Sequence, residues 1–235
     1  MAHVTETEEI TIPVAAGMLC GSLAIPPGAV GLVLFAHGSG SSRRSPRNWR
    51  VAEALQALGL ATLLFDLLTE TEGELDELTA QLRFDIPLLA DRLVAATDWA
   101  LEHRTTRGPP IGYFGASTGA AAALIAATLR PRPVRAIVSR GGRPDLAGDA
   151  LPEVVAPTLL IVGGADPAVI ELNREAMARM TAPVELEIVP GATHLFEEPG
   201  TLQRVAELAA LWLRTHLEAK PRPAPSEPEP ATSRR

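Results

Sequence analysis

The pentapeptide Gly115-Ala116-Ser117-Thr118-Gly119 joins two segments of opposite character. The residues before it, 111–114, are apolar like a short buried strand, whereas residues 120–129 are nearly all strong helix formers. A turn that joins strand to helix so abruptly leaves little room for side chains, which explains the flanking glycines. Gly-x-Ser-x-Gly in this setting is typical of a nucleophile elbow, which presents the serine at the end of a sheet. The sequence therefore predicts Ser117 as a catalytic nucleophile.

Strand-like and helix-like segments alternate along most of the chain. The apolar runs 31–35 and 158–162 are continuous, as expected of parallel strands covered by helices on both faces. Residues 10–25, with Gly17 near their middle, instead predict an antiparallel hairpin. We therefore expect an α/β fold with a doubly wound, mostly parallel sheet of about eight strands.

Length and local composition predict three parts. A chain of 235 residues can form one α/β domain with a large core, which we place at residues 10–218. Residues 1–9 are predicted to be an N-terminal extension. Residues 219–235 are rich in proline and charge, with little to bury, and are predicted to be a disordered tail. Residues 141–157 leave no room for a sizeable cap domain, so we expect an open site.

Three segments need separate predictions. Residues 69–78 are acidic and predict a solvated loop or an exposed helix start. Residues 84–103 predict a long helix, with Pro87 in its first turn. Cys20 is alone, which excludes an internal disulfide and a cysteine-based metal cluster, and we expect it to be a small buried hydrophobe.

Charge and hydropathy restrict the partners. The net charge of −7 argues against general nucleic-acid binding, which needs a basic face. No run approaches the ~18 apolar residues of a membrane span. The acidic N-terminus lacks the design of a signal peptide, so a cytoplasmic location is expected.

Two further residues follow predicted strands and complete a candidate catalytic group with Ser117. Acyl transfer by serine needs a base, together with a carboxylate that orients this base. On open α/β sheets such groups lie beyond the carboxyl ends of strands, in one known arrangement in the order serine, acid, histidine. Asp166 follows the apolar run 158–162, and His194 follows the last predicted strand. We therefore predict Asp166 and His194 as the partners of Ser117.

Other interpretations of these residues stay open. Ser117 could be only a tight helix start, and Asp166 before Pro167 could be a helix N-cap, a role compatible with catalysis. Asp145 and Asp149 follow the preceding strand and are rival acids. The histidines at the N-terminus and at polar helix ends are expected to be solvated: His3, His103 and His216.

An oxyanion hole needs two backbone N–H groups that point at the developing charge. We predict that one comes from Thr118, directly after the nucleophile, and the other from Ser39, in a loop of small residues after an early strand. Gly38 and Gly40 are near alternatives. His37 is interpreted as a structural hydrogen-bonding residue rather than a base.

Five arginines follow strands at the predicted active-site edge. Arg43, Arg44 and Arg47 come after the oxyanion loop, and Arg140 and Arg143 come after the strand that follows the elbow helix. Guanidinium groups bind carboxylates and phosphates bidentately. We hypothesise that one or two of them, with Arg43 and Arg140 as candidates, bind an anionic part of the substrate. The alternative is that they are solvated or form salt bridges.

The motifs identified so far resemble those of the α/β-hydrolase superfamily, and more narrowly of its dienelactone-hydrolase-like branch, over roughly residues 10–217. They are His37-Gly38-Ser39-Gly40, Gly115-Ala116-Ser117-Thr118-Gly119, Gly163-Gly164-Ala165-Asp166 and Gly191-Ala192-Thr193-His194. Dienelactone hydrolases proper use a cysteine nucleophile, whereas position 117 is serine, so their lactone chemistry is not implied. Related bacterial proteins sometimes occur beside or fused to a phosphoribosyltransferase domain, which we do not expect in this sequence.

The residues and the resemblance together predict a serine hydrolase. We expect it to cleave small-molecule carboxylic esters or thioesters, with anionic esters as candidate substrates, through an acyl-enzyme on Ser117 and without a metal or an organic cofactor. One alternative is an acyltransferase that uses the same three residues. The other is a hydrolase scaffold that binds or regulates without catalysis.

Overall fold

The apolar runs form one eight-stranded sheet in the computed structural model, which describes residues 5–218. The strands are β1 Thr7–Val14, β2 Gly17–Ala24, β3 Leu32–Ala36, β4 Ala61–Phe65, β5 Ile111–Ala116, β6 Val134–Arg140, β7 Thr158–Gly163 and β8 Val184–Val189. Their order across the sheet is β1-β2-β4-β3-β5-β6-β7-β8. β1 and β2 pair antiparallel, as do β2 and β4, and all other neighbours are parallel. The predicted mostly parallel α/β sheet is therefore confirmed.

Helices cover both faces of this sheet. They are α1 Pro46–Ala57, α2 Glu70–Thr79, α3 Ile86–Glu102, α4 Thr118–Leu129, α5 Pro167–Arg179 and α6 Thr201–Glu218. The central strands are buried on both sides, and alternate residues serve different cores: Leu32 and Leu34 of β3 face α3 and α4, whereas Val33 and Phe35 face α1 and α6. This double burial explains the continuous apolar runs, since each buried leucine or phenylalanine contributes about 1.5–3 kcal/mol.

Some predicted boundaries differ from those of the structure. β1 begins at Thr7, three residues before the predicted hairpin, because an edge strand with an exposed outer face carries little hydrophobic signal. The acidic segment forms α2, with Thr69 and Glu72 in a capping box. α3 begins at Ile86 because the Asp85 carboxylate accepts the Leu88 N–H, and a short 3₁₀ segment precedes it. The predicted tail, 219–235, lies outside the described residues, as do residues 1–4.

The prediction for Cys20 is wrong, because this residue is exposed. Leu19 and Gly21 on either side of it are buried, as the alternation of a strand requires. β2 runs antiparallel to β4, so its first half lies at the edge where the parallel strands end. Cys20 therefore faces the open groove at that edge rather than a helix.

No separate cap domain covers that edge in the described part of the chain. Between β6 and β7 the chain forms only a short 3₁₀ segment, Pro144–Glu153, with a kink at Gly148. The carboxyl ends of the parallel strands are therefore left accessible, and the loops that follow them can meet a substrate.

Candidate active site

Ser117 lies at a strained turn between β5 and α4. Its φ of 50° and ψ of −121° fall in a region that side-chain-bearing residues rarely adopt, at a cost of about 1–3 kcal/mol. Backbone hydrogen bonds hold it: its N–H donates to the Arg140 carbonyl (3.3 Å), and its carbonyl accepts the N–H groups of Arg143 and Ala120 (3.1 Å each). Such a turn presents the serine side chain at the end of the sheet.

The glycines around Ser117 are required by close backbone packing. A Cβ on Gly115 would lie 2.5 Å from the Ala120 Cα, and one on Gly119 would overlap the carbonyl oxygens of Ala36 and His37. α4 therefore begins directly against the ends of β5 and β3, where only hydrogen fits. This packing fixes the direction of the turn that carries the serine.

Asp166 and His194 are brought together by two loops at the same edge. Asp166 follows β7 and precedes α5, and His194 lies between β8 and α6. His194 Nδ1 and Asp166 Oδ2 are 2.9 Å apart, in a hydrogen bond. The loops pack closely because the Ala165 N–H donates to the Ala192 carbonyl and because residue 163 is glycine. The other ring nitrogen of His194, Nε2, has no hydrogen-bond partner among the residues that the structure describes.

The alternatives to Asp166 as the partner of the histidine fit the structure less well. Asp166 occupies the N-cap position of α5, yet its side chain makes no capping hydrogen bond. Asp145 binds the Arg143 guanidinium through both oxygens, at 2.9 and 2.7 Å. Asp149 pairs with Arg179 at 3.0 Å. Of these acids, Asp166 is the one paired with His194.

His194 lies beside the strand next to Ser117. Arg140 is the register partner of Ala116, so Gly141 is one residue beyond that pair. A Cβ on Gly141 would lie 3.0 Å from the His194 carbonyl oxygen and 3.6 Å from its Cε1. In the part of the chain that the structure describes, Ser117 Oγ and His194 share this edge without a direct hydrogen bond. Such a bond often tightens only when substrate binds.

The two predicted oxyanion donors lie side by side. Gly38 approaches the β5–α4 turn so closely that a Cβ there would lie 3.0 Å from Ser117 Cβ. The Ser39 N–H donates to Thr118 Oγ1 at 3.0 Å, so the Thr118 hydroxyl occupies this amide. The Thr118 N–H belongs to the first turn of α4 and has no acceptor within the helix. A helix N-terminus also favours negative charge.

His37 is a structural residue, as predicted. It is buried, and its Nε2 accepts the Leu67 N–H at 3.0 Å. Nδ1 must then carry the proton, which it donates to the Gly38 carbonyl at 3.0 Å. Burial lowers the pKa of His37, which keeps the ring neutral. The ring therefore joins the oxyanion loop to the segment after β4.

The two candidate substrate-binding arginines, Arg43 and Arg140, lie in different environments. The Arg43 guanidinium contacts Glu9 at 2.9 Å and Asp66 at 3.6 Å, so it is neutralised within the protein. Arg140 is 8% exposed, and its Nε and Nη1 have no hydrogen-bond partner among residues 5–218. Burial and the neighbouring Arg47 lower the pKa of Arg140 to about 10.

Sequence reasoning missed one contact in the histidine loop. The Glu198 carboxylate accepts the Thr193 N–H at 3.1 Å and the Thr193 hydroxyl at 2.6 Å. These hydrogen bonds lower the pKa of Glu198. They fix the residue next to His194, and their five-residue spacing follows no recognised pattern that could have revealed them.

An open groove of about 970 Å³ extends from the oxyanion loop towards α2. Its lining includes Gly38 and Ser39 but not Ser117, Asp166 or His194, so it adjoins the candidate site rather than containing it. Among residues 5–218, no cluster of three or more histidine, cysteine, aspartate or glutamate side chains could hold a metal ion. No helix in that range is both long and apolar enough to cross a membrane.

Comparison with known proteins decides the family. Residues 25–218 match the model of the dienelactone hydrolase family. The chain belongs to this family. It is similar to a dienelactone hydrolase from Anabaena variabilis, with 57% identity and a TM-score of 0.90 over 92% of this chain and 100% of that one. Membership of this family supports hydrolase activity.

More distant structures show the α/β-hydrolase fold. An alpha-beta serine hydrolase homologue from Coxiella burnetii has a TM-score of 0.72 over 89% of this chain and 99% of its own, at 22% identity. Two Mycobacterium tuberculosis proteins, from strains CDC 1551 and H37Rv, carry the name "Putative phosphoribosyl transferase". Each is 56% identical over 210 residues, which is 89% of this chain and 46% of that protein. The chain thus spans about half the length of these curated relatives.

Proposed function

We propose that this member of the dienelactone hydrolase family is a serine hydrolase that cleaves carboxylic esters or thioesters. The observation that carries the proposal is the His194–Asp166 hydrogen bond at the edge where Ser117 is held in a strained turn. A histidine whose Nδ1 is fixed by a carboxylate presents Nε2 as a base, which is what a serine nucleophile needs.

In the proposed reaction, Ser117 Oγ attacks the acyl carbon while His194 Nε2 takes the hydroxyl proton. Asp166 holds the required tautomer and stabilises the imidazolium that forms. His194 then gives the proton to the leaving alkoxide or thiolate, and an acyl-enzyme remains. Water attacks this ester with His194 again as the base, which releases the carboxylic acid and restores Ser117.

The oxyanion is assigned to the N–H groups of Thr118 and Ser39. The Ser39 amide is bonded to the Thr118 hydroxyl in this structure, so that hydroxyl must rotate away as the substrate oxygen arrives. One oxyanion donor contributes about 10²–10³-fold to turnover. The substrate oxygen would thus replace the Thr118 hydroxyl as the acceptor of the Ser39 N–H, with little movement of the backbone.

The proposal concerns acyl chemistry alone. The name of the Mycobacterium tuberculosis relatives does not lead to a second proposal, because those proteins are about twice as long and the paired residues here suit acyl transfer. The 57%-identical Anabaena variabilis protein is named a dienelactone hydrolase. Position 117 is serine, so we propose that the substrates are esters and thioesters of small acids rather than the dienelactones in the name of that relative.

Initial rates on short-chain p-nitrophenyl esters and an acyl thioester, with and without added glycerol, test the proposal. We expect ester cleavage by the wild type, a loss of about 10⁴-fold or more in kcat for Ser117→Ala, and free acid as the main product. Ser41→Ala, a serine exchanged in the nearby loop, should remain within threefold of the wild type. Glyceryl ester as the main product would indicate an acyltransferase, and no turnover by the folded wild type would contradict both enzyme proposals.

A further inference from the structure

The three residues that follow β6, residues 141–143, contact both the nucleophile and the base of the candidate site; we call them the β6 loop. The Arg143 N–H donates to the Ser117 carbonyl at 3.1 Å. Gly141 packs against the histidine loop, where a Cβ on it would lie 3.0 Å from the His194 carbonyl oxygen. A shift of the β6 loop would therefore move Ser117 and His194 relative to each other.

The β6 loop begins with two buried glycines, Gly141 and Gly142. Gly141 has a φ of 51°, a left-handed conformation that glycine adopts at little cost. A Cβ on Gly142 would overlap Ser139 Oγ and the Ala120 side chain, so the loop packs directly on β6 and α4. Because glycines have no side chains of their own, the position of this loop depends on contacts from other elements.

Asn173 of α5 supplies such a contact. Its Nδ2 donates to the Gly142 carbonyl at 3.0 Å and to the Val169 carbonyl, within α5, at 2.8 Å. Carbonyl oxygens only accept hydrogen bonds, so both partners require the NH₂ group of the amide at this place. α5 begins directly after Asp166. The helix that follows the acid is therefore also the helix that holds the β6 loop.

Packing alone does not account for an asparagine at this position. Asn173 is fully buried, and the buried residues of α5 are Asn173 and Ala176. Asparagine is a weaker helix former than leucine, and burial of its amide is unfavourable unless the amide is hydrogen-bonded. Its Oδ1 has no hydrogen-bond partner among residues 5–218. An aliphatic side chain would anchor α5 without these costs, so the donor to the β6 loop is the distinctive contribution of Asn173.

We propose that Asn173 is a positioning residue that fastens α5 to the β6 loop and so aligns Asp166 with Ser117. This inference rests on the proposed hydrolase function of Ser117. The hydrogen bond to Gly142 would tie the acid to the nucleophile through the backbone, in addition to the tie through the His194 ring. Asn173 donates to backbone carbonyls rather than to a reacting atom. Its loss should therefore lower kcat and leave the binding of substrate nearly unchanged.

The activity test compares Asn173→Leu with the wild type on the p-nitrophenyl ester that the wild type cleaves best. This substitution removes both hydrogen bonds at similar volume. We expect kcat to fall about 10–100-fold, because a misplacement on the order of 1 Å has effects of this size, with KM within threefold. A kcat within threefold of the wild type, or a change in KM alone, would overturn the positioning role.

Thr97→Val is the matched control for a loss of stability. Thr97 is also fully buried on a helix, α3, and its hydroxyl bonds to the Leu93 carbonyl at 2.8 Å and to the Tyr113 hydroxyl at 2.6 Å. We expect a lower melting temperature in Thr97→Val, as in Asn173→Leu, but a kcat within threefold of the wild type. Equal losses of kcat in the two variants would mean that Asn173 acts only through stability.

Asn173→Thr separates the two hydrogen bonds of the amide. A threonine hydroxyl can bond to the carbonyl four residues earlier in its own helix, here that of Val169, but it is too short to reach Gly142. We expect kcat to be as low as in Asn173→Leu. A kcat restored to the wild-type value would show that the bond within α5 is sufficient and would overturn the link to Gly142. If Asn173→Leu fails to fold, Asn173→Thr keeps the same expected direction.

Amide hydrogen exchange separates this inference from the hydrolase proposal, because it needs no substrate. Peptides that carry the N–H groups of Gly141 and Arg143 should exchange at least about tenfold faster in Asn173→Leu than in Thr97→Val. Exchange that is no faster than in this control would overturn the inference, whether or not esters are cleaved. Faster exchange in a protein whose wild type cleaves no ester would support the link between α5 and the β6 loop and contradict the hydrolase proposal alone.

Discussion

The two flanks of the candidate active site differ in whether their arginines have acidic partners within the protein. Beside β4 and α2, arginines are neutralised by acids that lie far away in the sequence, such as Arg43 by Glu9 and Asp66. Beside β6, Arg140 is buried without an acidic partner in the described part of the chain, and the neighbouring Ser117 is strained. The first flank contains interactions that hold loops in place, whereas the second contains features that cost stability. Unfavourable features of this kind concentrate where ligands bind or react.

Removal of the Asp166 charge should have the largest effect on turnover. Asp166→Asn keeps the size of the side chain but no longer holds His194 in the tautomer that presents Nε2 as a base. We expect a fall in kcat of about 10³–10⁴-fold with a similar melting temperature. The matched control is Asp149→Asn, whose exposed carboxylate pairs with Arg179 and should leave kcat within threefold. Equal losses in both variants would contradict the role of Asp166.

A methyl group at the turn between β5 and α4 should cost the most stability. Gly119→Ala places a Cβ onto the carbonyl oxygens of Ala36 and His37, so the start of α4 must shift. We expect the free energy of unfolding to fall by about 3 kcal/mol, measured in urea. Gly73→Ala in α2 has nothing within 4 Å of its new Cβ and should instead gain up to about 1 kcal/mol. Stability losses of the same size would show that the packing at Gly119 is ordinary.

Acid should weaken the link made by His37. Burial lowers the pKa of His37 in the folded state, so the unfolded state binds the proton more readily. The stability from this residue is therefore complete above the unfolded pKa of about 6.5 and decreases as pH falls below it, by up to about 1.4 kcal/mol per pH unit. Urea unfolding between pH 7.5 and 5 measures this slope. His37→Gln should unfold more easily at pH 7.5 but with a flatter dependence on pH, and an equal slope in both proteins would contradict the assignment.

The smallest expected effects are on the free energy of unfolding, and they should have opposite signs for Arg43 and Arg140. Arg43→Met leaves Asp66 without its guanidinium partner and should lower the free energy of unfolding by about 1 kcal/mol, since Glu9 is largely exposed. Arg140→Met removes an uncompensated buried charge and should raise it by about 1 kcal/mol. Thermal and urea unfolding at low salt would measure both. A loss of stability in both variants would mean that Arg140 is satisfied within the protein.

The fold could be predicted from the sequence because its signals are local. Continuous apolar runs identified the parallel strands, and Gly17 marked the turn of the hairpin. Ser117, Asp166 and His194 could be proposed together because each follows a strand, and the ends of parallel strands share one edge. The hydrogen bond between Asp166 and His194 needed only this topology, in which strand order follows from short connections.

Contacts that depend on side-chain direction across long separations could not be predicted. Arg43 and Arg140 look alike in sequence, and the acids that neutralise Arg43 are 34 and 23 residues away. The Thr118 hydroxyl meets the Ser39 amide across 79 residues. Cys20 alternates with apolar residues, yet it faces a groove. The reason is that the first half of β2 lies at the uncovered edge where the parallel strands end. No local pattern carries this information.

Labelling with a fluorophosphonate probe, read by intact mass, tests the activation of Ser117 most directly. The wild type should gain the mass of one adduct, Ser117→Ala should gain none, and His194→Ala should react at least a hundredfold more slowly. Ser41→Ala should react like the wild type. A folded wild type that stays unmodified, or an adduct that persists in Ser117→Ala, would contradict the assignment of Ser117 as the nucleophile.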